Sequence, residues 1–302
     1  MEPSINPISK LRDLNLSIYP VKEINNIMSE FGRFGVVVIP LPVGKTIIRA
    51  RPNESNSFKS ISELTYKPAE YNTKYQRAST PNTTMFYGCV VPENIGKEEF
   101  DTARVTAITE VSKLYRQEIE NGDEKITFSR WIVTKEIPLI AIVYNKDFIN
   151  SSLHANELYS AYQIFLQNNP NDIINSNIVT EYFASEFAKK ETPHDYEYLI
   201  SALFTELITK KGYAGVYYPS VRSEGKGFNV AIHPVFVENN MIPVVAGECT
   251  LYKKAKQCLL DDDTITEITK GQTDFTLNPI LDTQLHKGRE ICHKILNADI
   301  KR

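Results

Sequence analysis

Apolar residues recur along this chain in two rhythms. In "KEEFDTARVTAITEVSKLYRQEI", Phe100, Ala103, Ala107, Ile108, Val111 and Leu114 return at the spacing of one helix face. Further helices are predicted over "VKEINNIMSEFGRFG", over residues 153–191 and over "DYEYLISALFTELITKKG", the first and last closed by glycine. Elsewhere the apolar runs are short and rich in β-branched and aromatic residues, as strands are. "VVVIPLPVGKTIIRARP" predicts two strands around Pro40, Pro42 and Gly44, and "TTMFYGCVVPE" predicts one short strand. "KITFSRWIVTKEIPLIAIVY" predicts two strands paired with each other. "GYAGVYYPSV" and "GFNVAIHPVFV" each read as a strand, and "MIPVVAGECTLYKKA" as one or two. Residues 52–82, rich in Ser, Asn, Pro and Lys, read as a long loop with at most a helical turn or two. From about residue 258 the chain turns polar and is expected to be exposed, with Asp261–Asp263 as a solvated helix start.

Strands on both sides of a helical middle favour one α+β domain over a regular βαβ alternation. No dinucleotide-binding glycine fingerprint or phosphate-cradling loop is present; "SEGKGFN" has the wrong spacing. The expected organisation is an N-terminal extension over 1–44, a main domain over 45–240 and a C-terminal strand and tail over 241–302 packed on it.

Composition narrows the partners. The 302 residues carry 34 basic and 37 acidic side chains, a net charge of −3, with no basic block to track a nucleic-acid backbone. The apolar runs are too short to span a bilayer, and the N-terminal stretch lacks the pattern of a signal peptide. A cytoplasmic protein with neither nucleic acid nor membrane as partner is expected. Cys89, Cys249, Cys258 and Cys292 form no CxxC pair and read as reduced core thiols; the scattered histidines, His286 and His293 among them, offer no metal pattern, so no metal site is expected.

Candidate chemistry gathers at the edges of apolar elements: Arg49 and Arg51 in "IIRARP", Arg77 and Tyr87 in "YQRASTPNTTMFY", Glu110 in "TARVTAITEV", Ser220 and Asn229 in "YYPSVRSEGKGFN". A carboxylate beside an apolar helix face needs partners or neutralisation, and the arginines are candidates. Ser220 can equally cap the turn after Pro219, and Asn229 can serve only to fix the loop. His233 reads as a core or edge histidine.

Taken in order, these segments resemble the RES domain, named for its Arg, Glu and Ser, over roughly residues 45–235. The resemblance implies a fold similar to ADP-ribosyltransferases, with mixed sheets and packed helices. It assigns catalytic roles to Arg77, Glu110 and Ser220, and substrate-binding roles to Arg49, Tyr87 and Asn229. It further implies an enzyme that consumes NAD as substrate, with no prosthetic group. The nicotinamide–ribose bond would be cleaved, and ADP-ribose passed to inorganic phosphate by an NAD phosphorylase of the toxin–antitoxin kind. A partner antitoxin protein and a homodimer belong to the same implication. A non-catalytic nucleotide-binding module and an ADP-ribosyltransferase acting on a macromolecule are the alternatives. The residue types suit the chemistry on their own terms. Breaking an N-glycosidic bond builds positive charge on the ribose, which a carboxylate such as Glu110 stabilises. A guanidinium fork grips phosphate oxygens, and a tyrosine ring covers a flat heterocycle.

Overall fold

A computed structural model describes residues 7–53, 56–91, 97–117, 119–170, 173–190, 192–255 and 257–280. Cys292, His286 and His293 lie outside the described residues. The helices are α1 (Pro7–Asp13), α2 (Val21–Ser29), α3 (Ile61–Leu64), α4 (Lys97–Val111), α5 (Lys113–Arg116), α6 (Leu153–Asn168), α7 (Ile173–Phe187), α8 (Leu199–Lys210) and α9 (Pro234–Asn240). The strands are β1 (Val37–Leu41), β2 (Thr46–Pro52), β3 (Phe86–Val90), β4 (Asn121–Val133), β5 (Ile137–Ala141), β6 (Gly215–Pro219), β7 (Phe228–Ile232), β8 (Met241–Lys254), β9 (Gln257–Glu267) and β10 (Asn278–Pro279). The protein is α+β, as its pattern predicts. It folds as two compact units, each gathered from three separated stretches of chain.

The first unit falls within Met1–Pro42, Lys67–Tyr87 and Glu136–Asn239. Its strands run in the order β1-β5-β6-β7. β1 pairs antiparallel with β5, with Val37 opposite Ala141; β5 runs parallel to β6, with Leu139 opposite Gly215; β6 pairs antiparallel with β7. A parallel pair needs a long crossover, and here the connection carries α6, α7 and α8. These helices build the core: Val179, Phe183 and Phe187 of α7 meet Leu199, Leu203 and Phe204 of α8 and Ile24, Ile27 and Met28 of α2. The rings of Phe183 and Phe204 stack with centroids 3.9 Å apart, and Phe31 meets Phe183 edge-on at 5.7 Å. α8 closes at Gly212, whose φ of +94° suits glycine.

Two expectations are corrected in this unit. β5 does not pair with the strand before it in sequence; its partners are β1 and β6. Only three residues join β4 to β5, but each strand completes a different unit, so proximity in sequence does not become pairing. "GFNVAIHPVFV" is a strand only to Ile232. Pro234 then opens α9, where a missing N–H costs nothing in the first turn and a fixed φ favours the helix.

A polar clasp holds the N-terminal segment. The Tyr19 hydroxyl donates to Asp195 Oδ1 at 2.6 Å, and the Tyr75 amide donates to Asp195 Oδ2 at 3.1 Å. Burial works against the Asp195 charge, but the Tyr19 and Tyr75 hydrogen bonds and the Lys74 charge outweigh it and hold the carboxyl below its ordinary value of 3.8. A depressed folded pKa means stability that is present above the unfolded carboxylate pKa and lost as pH falls through the folded one. Acid unfolding midpoints should therefore show the loss below about pH 4. Tyr19→Phe should flatten that slope by lowering stability near neutrality, with the difference from the parent protein shrinking as the carboxyl protonates in acid.

The second unit falls within Val43–Tyr66, Gly88–Lys135 and Asn240–Arg302. Its strands run β3-β2-β4-β8-β9-β10, each adjacent pair antiparallel. The long strands β4 and β8 pair from Asn121 opposite Lys254 to Val133 opposite Met241, with a register shift at Arg130/Trp131. Ala103, Ala107 and Ile108 of α4 pack with Ile48, Ala50, Ile126, Phe128, Cys249 and Leu251. The helical pattern that predicts one long helix is divided at buried Ser112, whose hydroxyl donates to Glu124 Oε2 at 2.6 Å.

The polar tail is corrected here. Residues 257–267 form β9, paired along β8, and Asp261–Asp263 lie inside that strand. Asp261 is buried; Asp262 takes both terminal nitrogens of Arg104, and Asp263 accepts from Thr250 Oγ1 at 2.7 Å. The run of charge looks solvated in sequence because its partners stand on other elements. Cys89 and Cys249 are buried, and burial pushes the Cys249 thiol up to about 11 and Cys89 well above its ordinary value. Both should resist a maleimide in the native state and react on unfolding, while exposed Cys258 labels at once; mass mapping of the labelled peptides reads the difference.

Candidate active site

Four of the six expected site residues lie in the first unit: Arg77, Tyr87, Ser220 and Asn229. Arg49 and Glu110 lie in the second.

Within the first unit the four are linked through the end of α7 and the β6–β7 pair. Arg77 donates through Nη1 to the carbonyl of Phe187 and through Nη2 to that of Lys189 at 2.9 Å, and its guanidinium sits 5.3 Å from the centre of the Tyr198 ring. The last carbonyls of a helix carry partial negative charge and few partners, so the end of α7 draws a cation to it. The Phe187 ring lies 5.3 Å from that of Tyr218 on β6. Tyr218 stands opposite Asn229 on β7, so their side chains share a sheet face. Ser220 follows two residues on, beyond the strand's end.

Ser220 is fully buried. Its Oγ accepts from the Ser223 amide at 3.2 Å, and its main-chain N–H and C=O bond Gly227 O and Gly225 N, each at 2.8 Å. Ser223 Oγ accepts from the Gly227 amide at 2.9 Å, and Ser151 Oγ donates to Gly225 O at 2.8 Å. The turn-capping role is thus realised: the loop after β6 is a closed hydrogen-bonded turn, with Gly225 at φ +79°. The polar tip of an apolar strand is, at minimum, the device that folds the chain back into β7.

Tyr87 is half-buried as a residue, but its hydroxyl end is enclosed. It accepts from the Ala78 amide at 3.1 Å and shares a hydrogen bond with Ser79 Oγ at 2.8 Å. Burial pushes the phenol up to about 12 against the opposing pull of Ser79, Ala78 and the Arg77 charge. The phenol is neutral at physiological pH and sits within the field of Arg77 and Tyr198.

Two neighbouring residues are given no role by sequence reasoning. Tyr198, the ring beneath Arg77, lies in a stretch that reads only as the start of a helix. Arg222 donates through Nη2 to the Lys190 carbonyl at 3.2 Å, one residue from the carbonyl that Arg77 takes. Arg222 is visible in "SVRSEG", but nothing in its spacing sets it apart.

In the second unit Arg49 lies on β2 opposite Ser129, on the same strand face as Arg51. Arg51 donates to the Glu63 carbonyl and covers the Phe58 ring at 4.8 Å. Glu110 is half-buried in the last turn of α4, and its charge adds to the upward push on the Cys89 thiol.

Among the described residues no group of three or more His, Cys, Asp or Glu is placed to hold a metal ion, and no helix is long and apolar enough to cross a membrane. Compared with protein-family models the chain matches none, and a search of curated proteins likewise finds no match.

Proposed function

We propose that the protein binds NAD and cleaves its nicotinamide–ribose bond, passing ADP-ribose to inorganic phosphate, as the resemblance to the RES domain implies. What supports the reading is one observation: Arg77, whose charge acts on Tyr87, holds the Phe187 carbonyl at the end of α7, and the Phe187 ring lies 5.3 Å from Tyr218, which stands opposite Asn229 and two residues before Ser220. Two of the five guanidinium N–H donors of Arg77 are committed to these main-chain bonds; the remainder suit a phosphate oxygen. The neutral Tyr87 phenol offers a flat ring beside that cation. The resemblance, and not the geometry of the first unit, gives Glu110 the charge that steadies the ribose cation in the transition state and Arg49 a substrate contact.

Purified protein is incubated with NAD with and without phosphate, and nicotinamide is measured. Release that depends on phosphate supports phosphorolysis; release in both conditions supports hydrolysis. Glu110→Gln should lower the rate by about 10²–10³, the loss typical of one preorganised electrostatic group, with an unchanged melting temperature. Full activity in Glu110→Gln and in Ser220→Ala would overturn the assignment.

A second reading has its own observation. Arg77 and Arg222 both cap carbonyls at the end of α7, and Ser220 caps its own turn. These are structural duties, and they favour a non-catalytic nucleotide-binding module. Nicotinamide release in neither condition, with NAD still shifting the melting temperature, decides for it.

A further inference from the structure

A hollow in the first unit lies away from Ser220, with Ala78, the neighbour of Arg77, in its lining. It encloses about 400 Å³ and is lined by Met85, Tyr213, Phe236, Thr80, Glu206 and His233. His233 and Tyr213 mark the end of β6 and β7 opposite to Ser220: the His233 amide donates to Ala214 O at 2.8 Å, while Ser220 follows Pro219. Five residues of strand separate the two places, ~17 Å at ~3.3 Å per residue.

Small-molecule sites are mostly apolar hollows of about 300–1,000 Å³ with a few convergent polar groups, and this one fits that description. Met85, Tyr213 and Phe236 offer a thioether and two aromatic rings, surfaces suited to a flat ring. Opposite in character is Glu206, held by Thr80 Oγ1 at 3.1 Å and by Lys210 Nζ. A carboxylate accepts about four hydrogen bonds, so capacity remains for two ligand donors. His233 Nδ1 accepts from the Val235 amide at 3.4 Å, which leaves the ring proton on Nε2 as a donor. Burial lowers the His233 pKa from 6.5, against an upward pull from Glu238, so the ring is neutral at pH 7. Glu206 and Lys210, both in the lining, pair with each other, so the pocket holds no uncompensated cation to attract an anionic ligand. A plain hydrocarbon would strand the carboxylate and the imidazole, and a divalent cation would find a single carboxylate in the lining.

We propose that this pocket binds a nucleoside-like ligand, a planar heteroaromatic ring carrying a vicinal diol, with the ring against Tyr213 and Phe236 and the diol on Glu206. The inference does not depend on NAD turnover. The test is titration calorimetry of the full chain with adenosine and with 2′-deoxyadenosine. Adenosine should bind, and the deoxy compound should bind at least about tenfold more weakly, because a site that pairs a hydroxyl rejects the analogue lacking it. Glu206→Gln should weaken adenosine by a similar factor. Thr209→Trp, which fills the pocket from a half-buried position, should abolish binding; Thr84→Phe, at another half-buried lining position, does the same if the first variant melts early. No heat at millimolar adenosine overturns the proposal, as does binding that survives both filled pockets, since the nucleoside would then sit elsewhere. Loss of NAD turnover with adenosine binding intact counts against the NAD reading alone.

Discussion

Replacing Gly215 with alanine is expected to destabilise the protein by about 3–5 kcal/mol, the range reached when backbone strain and overpacking combine. Gly215 opens β6 at φ +145°, a conformation that L residues rarely adopt. A Cβ there would lie 1.9 Å from the carbonyl oxygen of Ala231 and 3.0 Å from Met85 Cε. The methionine end can shift, but the carbonyl belongs to the paired strand β7 and cannot move without breaking the ladder. Gly212 supplies the internal comparison. It too has a positive φ, +94°, but a Cβ there meets nothing within 4 Å. Gly212→Ala should cost about 1 kcal/mol, from strain alone. Urea unfolding of the two variants side by side measures the difference. Equal losses would mean that the close approach of β6 to β7 is not a constraint.

Asp262→Ala is expected to cost about 3–5 kcal/mol, because it leaves the buried Arg104 guanidinium without its counter-charge. Arg104 is 9% exposed, lies 4.4 Å over the Phe128 ring and directs both terminal nitrogens at Asp262. The aromatic face offers some compensation to a cation, but not a hydrogen-bond acceptor. The double variant Arg104→Met/Asp262→Ala should recover much of the loss, since an apolar pair of similar volume is often no less stable than the buried ion pair it replaces. A single-variant loss equal to the double-variant loss would place the destabilisation in β9 packing and not in the stranded charge.

Short-range pattern carries most of the elements. The 3.6-residue rhythm marks α4 and α8, and the compact apolar runs mark β1, β2, β6 and β8. What sequence cannot carry is partnership. β4 and β5 are adjacent and both apolar, yet each is claimed by strands from elsewhere. Asp261–Asp263 read as solvent-facing because the groups that hold Asp262 and Asp263, the Arg104 guanidinium and the Thr250 hydroxyl, sit 158 and 13 positions away. Pro234 was decisive in the other direction: apolar content extends the strand reading through "HPVFV", while proline geometry starts a helix. At the candidate site the sequence order identifies residues of the right chemical type, and four of them fall in the first unit. Their local duties were only half legible. The turn-capping role of Ser220 follows from its place after Pro219, but the grip of Arg77 on the end of α7 depends on a helix end 110 positions distant.

The route of the chain through its two units has a consequence for synthesis on the ribosome. β1 emerges early, yet its only described neighbour, β5, begins at residue 137, and the sheet of that unit is not complete until residue 232. At about 5–20 residues per second, the nascent polypeptide spends many seconds with an apolar edge uncovered. In the second unit β8, the partner of β4, and β9 beside it come later still, so neither half of a split gene would encode all the strands of either unit. A message truncated before residue 240 should therefore yield a chain that aggregates, which pelleting of the translated product would show.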